Sequence, residues 1–487
     1  MIYKNNFFGI FKDERVNSKT FIFFFLLKIV AVPVFYFVYK KLYGGLERFD
    51  AGKFYEDSRI INDYAKNDLL GYIKLLFGLQ DENPGTNLYD NYILKTTQWD
   101  NGRLKEYLYN DNRVVIRIHS FLHFIAFNSY YVHALFSCFL SFIGITYLYK
   151  SFKSFFAGKE IFVLAILCLL PALWFYTGAL LKEGLVIFIF GCTIYLIKNY
   201  FEHGFKFHMF VLLLFLFFVS LILKPYLLFF ASCTFGIFFL VNNSKKIKYK
   251  TLAFIILLMV AISSLNLASI KFKSRSLLSA ALTQQKMFAD ASKGGIFLLD
   301  NVKFVRLEFD STLVKKVGTN DSLFTIKKNV PYIYWEHSHQ EDTLFSSANL
   351  DTLTQYKLVY QLPKSGSNIL FDTKNFIGAT VSAFYYSLFY PFFFNSKSLI
   401  QLLASFENLL ILISIFIFLF GLIQNKKDKF PAVAFVLFAI LLCFLIGLST
   451  PNSGAIFRYR SPAVVFILLA ALYYLPVGKN KQESISN

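Results

Sequence analysis

Five short stretches of this chain place charge beside long apolar runs. ERFDAGKFY carries Asp50, PALWFYTGALLKEG carries Lys182 and Glu183, and LKPY carries Lys224. RVVIRIHSFLHFIAFN spaces Arg113 and Arg117, and STPNSGAIFRYRSP contains Arg458 and Arg460. A charge that reaches the centre of a membrane helix costs roughly 2.5–3.5 kcal/mol. Such residues therefore anchor to headgroups or line a polar cavity. Cations beside acids at one membrane surface suit a phosphate carried on a lipid. Arginine offers phosphate oxygens a planar fork and lysine a point charge, and a neighbouring carboxylate is placed to act as general base on a sugar hydroxyl. For Lys224 or Arg458 alone, a snorkelling anchor is the better reading; for the whole set, the cavity is.

The elements that must position these groups are legible in part. Pro171 predicts a kink in the helix that precedes Lys182, and Gly178 a turn at low steric cost. Glu183 then opens the next helix, its charge facing the positive end of the dipole. Arg113, Arg117, Ser120 and His123 recur every three or four residues, which puts a polar stripe on one helical face. Such a helix lies in the membrane interface or lines a cavity. Lys28, inside the run 21–39, reads as a snorkelling lysine near the cytoplasmic end.

Composition makes the chain an integral membrane protein. Of its 487 residues 56% are hydrophobic and 16% charged, against ~25% charged in a soluble domain. The net charge of +20 resides largely in short loops between apolar runs, the pattern of cytoplasmic loops and anionic lipid rather than of nucleic acid. The five cysteines lie in apolar runs and suggest no disulfide framework. His337 and His339 share a face of an extended segment with no fixed third ligand and read as surface polarity. The spacing calls for no cofactor and leaves any need for a divalent metal open.

Runs at 21–39, 131–149, 160–177, 184–198, 208–223, 225–241, 251–269, 399–423, 430–448 and 461–476 approach the roughly 20 residues needed to span hydrocarbon. The fold expected is an all-α polytopic membrane protein of about ten transmembrane helices. Segments 113–128 and 376–395 are expected as two outer-face interfacial helices, because only then do all the lysine clusters fall inside. The expected order is a cytoplasmic tail and signal-anchor helix (1–39), a first outer loop with the amphipathic helix (40–130) and membrane helices (131–269). An extracytoplasmic α+β insertion (270–375), the interfacial helix and last membrane helices (376–476) and a cytoplasmic tail (477–487) follow. Within the insertion VKFVRLEF and SLFTIKKNVPYIYW read as strands. On this topology Asp50, Asp57, Lys182, Glu183, Lys224, Arg117, Arg458 and Arg460 share the outer face, and the inner side carries only basic loops.

ALLKEG after a proline-kinked span, SLFYPFFFNSKSLIQLLASFENLL and RYRSPAVVFILLAAL resemble a group of poorly characterised polytopic bacterial inner-membrane proteins of glycan assembly. That group is similar to the C-type glycosyltransferases, which take sugars from polyprenyl-phosphate donors and hold a carboxylate just after the first span. The resemblance implies Asp50 as the candidate base and Arg458 or Arg460 as contacts of the donor phosphate; the charges gathered on the outer face add Glu183 as a second catalytic candidate and Lys182, Lys224 and Arg117 as further contacts of the lipid phosphate. It implies an inverting transferase of the cytoplasmic membrane that uses a lipid-linked sugar donor and a glycan or lipid acceptor among membrane lipids. The chain departs from the pattern in having no second acid beside Asp50, and Tyr390 where an arginine is expected before Pro391. A lipid-linked glycan transporter, or a non-catalytic assembly scaffold, is the alternative.

The topology is open to direct measurement. Cysteines introduced at Lys248 and Lys427 should label only from the cytoplasm, and those at Ser322 and Asn452 only from outside. External labelling at Lys427 would make 376–395 a span and separate the charges.

Overall fold

The computed structural model describes residues 7–83, 85–99, 111–271, 376–396, 398–425 and 427–476. Between 278 and 362 it describes short helical pieces, seven strands and Val317. His337 and His339 and the tail at 477–487 lie outside the described residues.

The protein is mainly helical. Among the described residues six helices are long and apolar enough to cross a membrane: Ser18–Leu42, Tyr130–Phe155, Lys182–His203, Pro225–Asn243, Leu399–Gln424 and Phe430–Ser449. Two further apolar stretches are bent pairs. Glu160–Leu169 and Pro171–Thr177 meet at 57°, and Ser453–Tyr459 and Ser461–Tyr474 at 54°. The first bend falls where Pro171 predicts it, since proline supplies no amide N–H to bond the preceding turn. Phe207–Leu223 and Lys250–Ser264 are shorter apolar stretches. The helices Asn112–Leu122 and Phe376–Leu388 have 11 and 13 residues. At 1.5 Å per residue they run about 17 and 20 Å, short of a ~30 Å hydrocarbon core.

The tightest helix pair sets the position of Lys182 and Glu183. Helices Tyr130–Phe152 and Lys182–His203 meet through small residues, and a Cβ on Gly191 would overlap the Gly144 carbonyl oxygen. A Cβ on Gly184 would stand 2.7 Å from the Ser137 carbonyl oxygen. In lipid, where hydrophobic attraction between helices is absent, such close backbone packing supplies much of the association. Gly178 has an ordinary φ of −85°, so the turn does not require glycine. Close approach does, because a Cβ there would lie 2.5 Å from that of Ala31 on the first span.

Lys28 does not snorkel. It is fully buried, and its Nζ donates to Thr177 Oγ1, whose hydroxyl donates to Leu173 O. Trp174 Nε1 donates to Leu27 O at 3.0 Å, so the first span is tied to Pro171–Thr177 by two polar links.

At the far end of the first span the loops are not purely basic. Asp13 accepts from Lys153, and Arg15 stands 3.5 Å from Glu160. Lys159 Nζ donates to the carbonyls of Leu472, Tyr473 and Leu475, capping the C-terminal end of Ser461–Tyr474.

The strands are β1 (Gly295–Asp300), β2 (Lys303–Leu307), β3 (Val314–Lys316), β4 (Leu323–Ile326), β5 (Pro331–Trp335), β6 (Leu344–Ser346) and β7 (Tyr356–Leu362). They form one antiparallel sheet in the order β3-β4-β7-β1-β2-β5-β6. Ile296 and Leu298 alternate into its core with Leu307, Ile326 and Tyr356. VKFVRLEF supplies β2, and the longer expected segment divides into β4 and β5.

Replacing Gly191 with leucine should force the central helices apart and destabilise the fold by about 1–3 kcal/mol or more. Gly236, whose Cβ position is open, is the control. The thermal midpoint in detergent should fall for Gly191→Leu and stay near wild type for Gly236→Leu.

Candidate functional site

The chain returns over the end of its first span through Gly44 and Gly45, at φ 78° and 127°. This backbone is open to glycine at little cost. It delivers Asp50 as the first residue of the helix Asp50–Asn67. Lys182 and Glu183 open the helix Lys182–His203. Lys224 directly precedes Pro225–Asn243, and Arg458 lies in the last turn of the bent segment Ser453–Tyr459.

These helix ends bring four predicted residues into one ionic chain. Arg458 Nη1 lies 3.4 Å from Asp50 Oδ2, and its Nε lies 2.8 Å from Glu183 Oε1. Lys224 Nζ stands 3.8 Å from the same Glu183 oxygen. Lys182 pairs with Asp111 at 2.5 Å alongside. The Tyr459 ring is shared by two cations: Lys224 Nζ is 3.1 Å from its centroid and the Arg458 guanidinium carbon 5.1 Å.

The chain is graded from outside to inside. The Asp50 side chain is 48% exposed, Arg458 14% and Glu183 8%. Burial pulls Lys224 down to about 7 against the opposing pull of Glu183, and the charges of Arg458 and Lys182 lower it further. Its ammonium therefore gives up its proton more readily than an exposed lysine does.

Glu183 has an unusual environment. Arg458 Nε approaches at 2.8 Å but off its N–H axis, and neither carboxylate oxygen has an aligned hydrogen bond. Such a buried acceptor is costly to leave without a donor. Glu183, Lys224, Tyr226, Arg458, Tyr459 and Ser461 border a cavity of about 20 Å³, room for about one water-sized group.

Arg460 goes elsewhere. It is fully buried, donating from Nη1 to Ser387 O at 2.8 Å and from Nη2 to Glu407 Oε1 at 3.2 Å and to Asn408. Glu407 Oε2 accepts the Ala172 N–H at 2.9 Å. Arg117 is not brought to Asp50 either. Its Nε donates to Leu75 O, and it stacks with Arg113 on Trp99, beside Glu82. Asp57 accepts from the backbone N–H groups of Thr97, Gln98 and Trp99 and from the Thr97 hydroxyl, fixing the loop. Burial pushes its carboxyl up against these donors.

Sequence reasoning missed Asp111, which pairs with Lys182, and Tyr459, which the RYR spacing places between two arginines. It also missed a buried cluster of His119, His123 and His133. His119 and His133 join through their Nδ1 atoms at 3.0 Å, and His123 bonds Ser58. Burial pushes His119 and His123 below the usual histidine range. The polar stripe gives a signal for His123, but His119 is not one of its positions and His133 belongs to the next helix.

Among the described residues no group of three or more His, Cys, Asp or Glu is arranged to hold a metal ion. At Asp50–Arg458–Glu183–Lys224 two cations are paired with two internal acids. Compared with known proteins, the chain matches no family model, no curated sequence and no solved structure.

Removing Arg460 strands Glu407 in an apolar interior. Arg460→Ala should cost about 3–5 kcal/mol, and Glu407→Gln with Arg460→Met should recover part of it, since no buried charge is left unpaired. Thermal unfolding in detergent reads both. A wild-type midpoint for Arg460→Ala would free Arg460 for the ligand contact the sequence suggests.

Proposed function

We propose that the protein is a membrane glycosyltransferase of cell-surface polysaccharide or glycoconjugate assembly, using a sugar carried on a lipid phosphate. The observation that carries this reading is the ionic chain, with an exposed carboxylate at its rim and cations behind it. The resemblance of its membrane segments to polytopic glycan-assembly proteins, a group itself similar to the C-type enzymes, supports the same class. The reading includes ten spans, both termini in the bacterial cytoplasm, and a site at the outer face of the inner membrane.

In the proposed reaction Asp50 takes the proton of the acceptor hydroxyl as its oxygen attacks the anomeric carbon. The bond from that carbon to the phosphate oxygen breaks, and its electron pair leaves with the lipid phosphate. Arg458 and Lys224 stabilise that charge, the role that commonly contributes most to catalysis. Attack opposite the leaving group inverts the anomeric centre. Glu183 sits between two cations, which suits it to hold them in place rather than to act as the base.

The two bent helix pairs favour the rival, a lipid-linked glycan transporter, because transporters build sites at helix breaks. The break at Arg460 is filled by Glu407, Asn408 and Ser387, and the sequence shows no repeated halves. The enzyme reading is the stronger.

With a synthetic polyprenyl-phosphate sugar, Asp50→Asn should bind donor at least as well as wild type, because a competing charge on Arg458 is removed, but lose about 10²–10⁴-fold in turnover. Arg458→Ala should lower both binding and turnover, because a phosphate contact is present before and during reaction. Donor affinity should weaken as pH rises through about 7 and Lys224 loses its proton. Normal turnover by Asp50→Asn would remove it as the base. Lipid translocation without sugar transfer would establish the transporter.

A further inference from the structure

The proposed reaction leaves one feature unused. Glu183 is buried deeper than any other acid of the ionic chain, yet both of its oxygens lack an aligned donor. The space beside it has room for about one water-sized group. Two cations border that space, Lys224 and Arg458, with the hydroxyl of Ser461 nearby.

The signs select what fits there. A phosphate oxygen would meet the Glu183 carboxylate at close range and be repelled. A second cation would meet Lys224 and Arg458. A neutral group that donates to Glu183 and accepts from Lys224 satisfies every neighbour. A hydroxyl does both, and an amide N–H supplies the donor alone. The phosphate itself is left to the side of Arg458 that faces the half-exposed Asp50, where its Nη1 is held only by a 3.4 Å contact. A hydroxyl seated beside a phosphate site belongs to the carbon next to the phosphorylated one.

We propose that Glu183 is a specificity-determining residue, accepting a hydrogen bond from the sugar hydroxyl or amide adjacent to the phosphorylated carbon while Arg458 and Lys224 hold the phosphate. This rests on the donor assigned above and adds which part of that donor the buried acid reads. A site built to hydrogen-bond such a group discriminates strongly against a ligand that lacks it, because its own polar atoms then stay unpaired. The residue also neutralises the two cations, and the two roles separate by experiment. Losing the charge of Glu183 releases Arg458 and Lys224 for phosphate, whereas losing its acceptor strength weakens only recognition of the sugar.

The test compares two probes, polyprenyl phosphate and polyprenyl phosphohexose, on purified wild type and Glu183→Gln. Wild type should bind the phosphohexose about ten- to a hundred-fold more tightly than the bare phosphate, the range of a hydrogen bond to a charged group. Glu183→Gln should bring that ratio close to one while binding bare polyprenyl phosphate at least as well as wild type, which also shows that the variant is folded. An unchanged ratio, or an equal loss for both probes, would overturn the inference and leave Glu183 a purely structural counter-charge. If wild type binds polyprenyl phosphate without preferring the phosphohexose, the phosphate site stands and the role of Glu183 falls. If it binds neither, the donor assignment falls with it.

Discussion

The bond on which the interior depends is the ion pair between Arg460 and Glu407, both fully buried. Two charges in such a place are tolerated only because each is paired and hydrogen-bonded. Arg460 reaches Ser387, Glu407 and Asn408, while Glu407 takes the Ala172 N–H and Asn408 donates to Pro391 O. The pair thereby joins the start of Pro171–Thr177, the span Leu399–Gln424, the turn after Phe376–Leu388 and the start of Ser461–Tyr474. Both helix bends end on this junction, so the bends are fixed geometry and not slack. Arg458, two residues away, is presented to the ionic chain from the rigid side of that junction.

That chain and its neighbouring pair balance. Asp50, Glu183 and Asp111 face Lys182, Lys224 and Arg458, three acids against three bases. A neutral group of this kind persists without a ligand, and on the proposed function an incoming phosphate would have to displace an internal partner. Affinity is then a difference between two sets of ion pairs, which makes it selective and moderate rather than tight. The exposure gradient sets the order of exchange: Asp50, at the rim, is displaced from Arg458 more easily than Glu183.

Much of the helical frame is legible in the chain. The run 430–448 becomes Phe430–Ser449 and 184–198 becomes Lys182–His203, because apolar length alone specifies such elements. Pro171 announces its bend, and the β-branched segments announce strands. The partners of charged residues are not legible. Arg458 and Arg460 are separated by two residues, about 200° around a helix, so one turns to the ionic chain and the other to the interior. Sequence spacing does not say which. Nor does it say that Arg117 stacks on Trp99 within its own loop, or that Asp111 comes to Lys182. Those pairings depend on how distant segments meet, as does the depth of Lys28, whose partner lies 149 residues on.

That last separation has a consequence for how the protein is made. A lysine near the middle of the first span is costly to leave in lipid alone, by roughly 2.5–3.5 kcal/mol. Its hydroxyl partner emerges 149 residues later, which at about 5–20 residues per second is a delay of roughly 7–30 s. Through that interval the first helix is an incomplete membrane segment, and it reaches its final state only when Pro171–Thr177 folds back against it. The first span thus reaches its final packing only once the chain has been made as far as Thr177.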